Sequence, residues 1–182
     1  MARRGTSRDR ILRAASELAF KEGAAHLSLD AVAARAGVSK GGLLYNFPNK
    51  VALMRALVQQ YLDEFGAELE SAGEKGGGER LAARYLEVAM EHLEERTRAS
   101  SGLLAALAED PELLAPVKRF NRQLVDRMKS GSADAGAVLI LFLVLEGLRA
   151  QRVFGTEILD EDEQRIVLER TVSLMAANGP SP

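Results

Sequence analysis

Val32-Ala33-Ala34-Arg35-Ala36-Gly37-Val38-Ser39-Lys40-Gly41-Gly42-Leu43-Leu44-Tyr45-Asn46-Phe47 is the stretch that decides the reading of this chain. Leu29, Val32, Ala33 and Ala36 recur at helical spacing after Ser28, a natural N-cap, with Asp30 near the positive end of the helix dipole. Gly37 then supplies a residue that tolerates positive φ, as a tight interhelical turn requires. Val38 packs the corner, and Ser39 caps a short third segment, Lys40 to Phe47. With a preceding helix opened by Thr6 and Asp9, these elements outline a helix-turn-helix module. Such a module lays its second helix in the DNA major groove, N-terminal residues toward the base edges. Gly41 and Gly42 each cost about 1 kcal/mol in a helix relative to Ala. That expense suggests close backbone approach to something, DNA being the natural candidate. A plain helical hairpin, where the glycines only permit tight packing, is the alternative.

Outward from this module the pattern stays helical. Ile11, Leu12, Ala15, Leu18 and Ala19 line the first helix, with Gly23 as its stop. Pro48 and Asn49 precede a long amphipathic stretch from Lys50 to about Leu69, marked by Leu53, Leu57, Tyr61, Phe65 and Leu69. Beyond a Gly73–Gly78 loop that reads as a linker, further helical patterns begin at Leu81, Leu103 and Leu113. Pro111 and Pro116 complicate the onset of the last of these. The Ala133–Arg152 segment is apolar nearly all round and should be buried on more than one side; Gly155 ends it. Asp160 and Glu163 cap a final helix. No run alternates with a period of two, so an all-α chain of about nine helices is expected.

Composition narrows the function. The 182 residues hold no Cys and no Trp, which excludes a disulfide scaffold, thiolate catalysis and Cys-ligated metal. The longest apolar run, Ala135–Leu145, is shorter than the about 20 residues of a membrane span. The basic opening is followed by no apolar signal core, so a cytoplasmic location is expected. The net charge of -2 conceals an asymmetry: residues 1–55 carry 10 Lys and Arg against 4 Asp and Glu, and the remainder is acidic. One part suits a polyanion and the other does not. His26 and His92 lie in different segments and no Glu-x-x-His order occurs on paired helices, so neither an enzyme nor any cofactor is implied.

Arg10-Ile11-Leu12, Ala14-Ala15, Phe20–Gly23, Ser28, Val32-Ala33, Ala36–Gly41 and Leu43–Leu53 together resemble the tetracycline-repressor (TetR) family of transcriptional regulators. The likeness spans roughly residues 7–55, in order and spacing. It departs at Leu44, where many members carry Tyr, and at Asn46, where His or Tyr is common. The resemblance implies a DNA-binding head over 1–49 and a helical ligand-binding and dimerisation domain over 50–182. It places Ser39, Lys40, Gly41, Gly42 and Asn46 on the recognition element. Lys40 can donate to guanine O6 or N7, while Ser28, Tyr45 and Lys50 suit phosphate contacts. Arg3, Arg4 and Arg8 could form a basic arm, or simply a solvated tail.

For the acidic remainder the resemblance implies a homodimer through the last two long helices, which would put Leu141 and Leu145 at the interface. It also implies an inducer pocket, with Phe65, Tyr85, Ala89, His92, Leu103, Leu107, Phe120, Leu124, Met128, Phe142 and Glu146 as candidate liners. Glu146 could meet a cationic ligand or pair with Arg149 one turn on. The expected function is a ligand-responsive regulator, a repressor that leaves double-stranded operator DNA when a small apolar or amphipathic molecule binds. The alternative is a dimeric helical scaffold, which has no use for Lys40 and Lys50 beside a Gly-rich helix start.

Overall fold

The structure, a computed structural model, describes residues 6–22, 27–70, 77–95 and 110–177. Among these, eight α-helices and a 3-10 turn appear, with no strand. They are α1 (Ser7–Glu22), α2 (Leu29–Ala36), α3 (Lys40–Asn46), α4 (Lys50–Glu70) and α5 (Gly78–Glu95), then the 3-10 turn Pro111–Leu114. After it come α6 (Ala115–Lys129), α7 (Ala135–Phe154) and α8 (Glu161–Ala177). The helix expected around Leu103 and Leu107 lies outside the described residues, as do His26, Gly23, Arg3 and Arg4. None of the helices is long and apolar enough to cross a membrane among the described residues.

Local chemistry accounts for most helix ends. The Thr6 amide donates to the Asp9 carboxylate at 2.9 Å, and the Asp9 amide donates back to the Thr6 hydroxyl at 3.2 Å. This reciprocal cap opens α1, and hydrogen bonding by Thr6 holds the Asp9 carboxyl below its usual value. Ser28 accepts from the Ala31 amide at the start of α2. At its end Gly37 adopts φ 64°, the left-handed conformation that a Cβ disfavours. The Gly37 amide then reaches Ala34 O and the Val38 amide reaches Ala33 O, satisfying two carbonyls that the helix leaves open. Gly155 closes α7 in the same way, with φ 62°.

The chain divides into two compact units, and the division falls within α4 after Asp63 and within α6 after Val117. In the first unit, Ile11, Ala15, Val32, Leu43 and Leu53 are fully enclosed, with Phe47 and Leu27 close behind. In the second, Phe65, Leu69, Ala82, Tyr85, Val88, Leu124, Met128, Val138, Leu141 and Leu145 form one core cluster.

Two expectations change here. Leu141 and Leu145, assigned above to a dimer interface, are 1% and 0% exposed within this chain's own core. The large apolar residues that α7 leaves uncovered are Leu139, Ile140, Leu143 (68% exposed) and Phe154 at its end. An all-round apolar helix carries no period that tells its inner face from its outer one.

Gly78, read as linker, is instead the buried first residue of α5, held against the C-terminal turn of α6. A Cβ there would lie 2.0 Å from Met128 O, and one on Gly131 would lie 2.5 Å from the Gly78 nitrogen. The two backbones meet with no room for a side chain. Gly78→Ala should therefore lower stability by about 1–3 kcal/mol through overpacking against backbone. Urea unfolding of the purified variant measures this; an unchanged midpoint would show that the two backbones separate freely.

Candidate functional site

The first unit's candidate site is built from helix ends. Ser39 lies in the extended region and its hydroxyl accepts from the Gly42 amide at 3.0 Å, opening α3. Leu43 and Phe47 are buried, so the rotation of this short helix is set by two inward anchors. Lys40, Gly41, Leu44 and Tyr45 then face outward, with Tyr45 91% exposed. Lys40 stacks with Leu44 and Gly41 with Tyr45 four residues on, so the outer side carries two adjacent rows.

The expected contact residues separate into two groups. Lys40, Gly41 and Tyr45 are exposed on α3, and Ser28, Ser39 and Lys50 mark the starts of α2, α3 and α4. The hydroxyls of Ser28 and Ser39 accept helix amides and retain their own protons for another partner. Asn46 and Gly42 do different work. The Asn46 amide donates to Gly42 O at 2.8 Å and to the Ser7 hydroxyl at 3.4 Å, tying α3 to the start of α1. Gly42 is half-buried, and a Cβ on it would stand 3.3 Å from the Ser39 hydroxyl, whereas one on Gly41 would meet nothing closer than 4.0 Å. Gly41 is therefore the glycine with open space on the outer face.

Three features escaped the sequence reading. Lys40 Nζ is paired to Asp30, 3.0 Å from Oδ1 and 3.2 Å from Oδ2. Asn49 caps α4 by accepting from the Ala52 amide at 2.8 Å, a role its place just before Lys50 could have signalled. The Arg8 guanidinium rests 5.5 Å over the Phe47 ring, which places this arm residue beside the end of α3.

In the second unit, the candidate pocket residues largely pack on one another. Phe65 meets Tyr85 edge-on at 6.2 Å and Phe120 at 5.8 Å, and Tyr85 stacks on Phe142 at 5.9 Å. Ala89, Leu124 and Met128 belong to the same core. Of His92 only the backbone of α5 is described, and Leu103 and Leu107 lie outside the described residues. The Tyr85 hydroxyl donates to Glu146 Oε1 at 3.1 Å, and Arg149 Nη1 lies 2.8 Å from that same oxygen. The Arg149 guanidinium also sits 5.7 Å over the Phe65 ring. Glu146 thus pairs with Arg149 as one reading expected, but in a half-buried setting with a tyrosine as second donor. A cavity of about 130 Å³ opens nearby, lined by Met90, Leu148, Gln151, Arg152, Glu157, Gln164 and Leu168. None of these was among the expected liners. Their signal in the sequence is no more than mixed polarity near two helix ends.

Comparison with known proteins matches the chain in two parts. Residues 11–57 match the model of bacterial regulatory proteins of the tetR family, and residues 79–176 match a tetracyclin repressor-like C-terminal domain. No curated protein matches the chain. Among solved structures, a TetR-family member from Streptomyces coelicolor A3 is 26% identical, with TM-score 0.68 over 92% of this chain and 98% of its own. A transcriptional regulator from Rhodococcus sp. Rha1 is 20% identical, with TM-score 0.75 over 97% and 100%. The multidrug binding protein EbrR, complexed with malachite green, is 24% identical, with TM-score 0.70 over 92% and 97%. With its reading head and its C-terminal domain both matched, the chain belongs to the TetR family of bacterial regulatory proteins.

Proposed function

We propose that this chain is a homodimeric transcriptional repressor that leaves its operator when a small apolar or amphipathic molecule enters the C-terminal domain. The observation that carries the DNA-binding half is the outer face of α3. It presents a cation, an open glycine, a leucine and a tyrosine, while its inner face is fully buried. A scaffold helix would not leave Tyr45 and Leu44 uncovered beside Lys40. Residues 1–49 act as the reading head, and the chain from Lys50 onward acts as ligand and dimer domain in the cytoplasm. No catalytic role is assigned. Support for the ligand half comes from EbrR, whose structure holds malachite green, and from the aromatic cluster around Tyr85 and Glu146 in this chain.

In this reading Lys50, Ser28 and Tyr45 hold phosphates, and Lys40 reads a guanine edge. Selecting duplexes from a random pool with the purified protein identifies the operator; recovery of no consensus would return the scaffold reading. With that duplex in hand, Lys50→Ala should weaken operator and random DNA alike and flatten the salt dependence by about one unit of slope. Lys40→Ala should instead relax discrimination at one base position by about 1–3 kcal/mol. Identical behaviour of the two variants across operator mutants would refute the division.

The glycines make a second test. Gly41→Ala should raise the melting temperature, since Ala gains up to about 1 kcal/mol over Gly in a helix. It should also alter operator affinity, because the new methyl group stands on the groove-facing side. Gly42→Ala should be the less stable of the two, because its methyl group crowds the capping Ser39 hydroxyl. Thermal melts beside operator titrations give both orderings.

The dimer is proposed through the uncovered side of α7 with α8, where Ile140, Leu143, Ile166 and Val172 stay exposed in the single chain. Burying such a face against a twin gains about 25 cal/mol per Å². Leu143→Lys should yield a folded monomer in sedimentation, whereas Leu141→Lys should unfold the domain. A Leu143→Lys variant that still sediments as a normal dimer places the interface elsewhere.

A further inference from the structure

Asp30 is the sole carboxylate between Leu27 and Leu62, a span that carries the cations Arg35, Lys40, Lys50 and Arg55. A negative charge there opposes attraction to any phosphate backbone, whatever the base sequence. Nor does it strengthen the fold appreciably. Its side chain is 70% exposed and that of Lys40 63%, and an ion pair so exposed contributes little to stability. What the pairing does determine is the position of the Lys40 ammonium, held by both carboxylate oxygens at the first residue of α3.

Resting on the reading of α3 as the recognition helix, we propose that Asp30 is a specificity-determining residue that works as one unit with Lys40. The unit presents a donor and an acceptor side by side, 3.0 Å apart. The major-groove edge of a G·C pair offers the complement. Guanine O6 accepts and cytosine N4 donates, and the pairing bond between them fixes their separation at about 2.9 Å. Lys40 Nζ meets O6 with one of its remaining protons, and Asp30 takes the outward N4 proton. A·T and C·G pairs place a donor and an acceptor in the reverse order along that edge, whereas T·A keeps the order with O4 and N6 and differs by its C5-methyl group; a phosphate offers no donor at all. On unrelated DNA, Lys40 keeps its partner and Asp30 faces unpaired negative charge. The pair therefore withholds affinity except where a base pair presents an acceptor and a donor in the matching order, as G·C and T·A do.

The test compares the full-length protein with its Asp30→Asn and Lys40→Ala variants on two duplexes, the one selected from a random pool and one of scrambled sequence. Asn keeps an acceptor at the start of α2 but removes the charge. Asp30→Asn should bind the scrambled duplex more tightly, with a salt slope steeper by about one unit, as Lys40 becomes available to a phosphate. The ratio of selected to scrambled affinity should fall about ten-fold, with the loss concentrated at one base-pair position, where discrimination against the reversed pairs C·G and A·T is lost. Asp30→Asn with the parent's ratio and slope overturns the proposal, and so does a lowered melting temperature with an unchanged ratio, which would make Asp30 a helix-end residue only. Failure of the underlying reading looks different, because then Lys40→Ala too leaves discrimination intact at every base.

Discussion

The left-handed turn at Gly37 is the constraint on which the reading head depends. Only a residue without a Cβ takes φ 64° at no strain, and that conformation lets two consecutive amides close the open carbonyls of α2. The chain leaves the turn already aimed, so Ser39 arrives in the extended conformation that a helix N-cap needs. Everything α3 shows to the outside follows from there. Leu43 and Phe47 lock its inner face, and the Asn46 amide ties it to Ser7. Arg8 lies on Phe47, adding charge next to the same helix end. A seven-residue helix with two glycines could not hold its orientation by propensity. It holds it because caps and anchors at both ends leave it one choice.

The second unit is governed by contact rather than by caps. Gly78 and Gly131 let the start of α5 approach the end of α6 backbone to backbone. Inside, Phe65, Phe120 and Phe142 pack with Tyr85, whose hydroxyl joins Glu146 and Arg149 in a polar trio. Burying the Tyr85 hydroxyl demands a partner, and Glu146 supplies it; burying Glu146 demands a cation, and Arg149 supplies that.

What was legible in the sequence was local. Thr6 with Asp9, Ser28, Ser39, Gly37, Gly155 and Asp160 with Glu163 were all readable because caps act over three or four residues. The pairing of Lys40 with Asp30 spans ten residues and two helices, and nothing in spacing announces it. The same holds for Asn46, whose inward hydrogen bonds depend on where α1 begins. The approach of Gly78 to Met128 could not be separated from a linker, since both use glycine. Leu141 and Leu145 were set on the wrong side of α7 for a related reason: where every face is apolar, only the packing partners choose the inner one.

In the proposed regulator, helix α4 carries residues of both units. It begins at the Asn49 cap and Lys50, among the proposed phosphate contacts, and runs unbroken to Glu70. Phe65 lies on it 15 residues later, about 22 Å along the axis at 1.5 Å per residue. That phenylalanine touches Tyr85, Phe120 and the Arg149 guanidinium, so whatever rearranges the polar trio also moves a residue of α4. In the proposed mechanism α4 carries part of that displacement toward Lys50, while gentle bending of the helix takes up the rest. In a dimer the two reading heads must sit about 34–36 Å apart to meet successive major grooves, and a shift of either α4 changes that spacing. The ligand needs only to prefer one spacing by about 1–3 kcal/mol to move the population. In that proposed mechanism, rearranging the half-buried pair of Glu146 and Arg149 would change both a charge contact and the ring contact with Phe65, on the helix that carries Lys50.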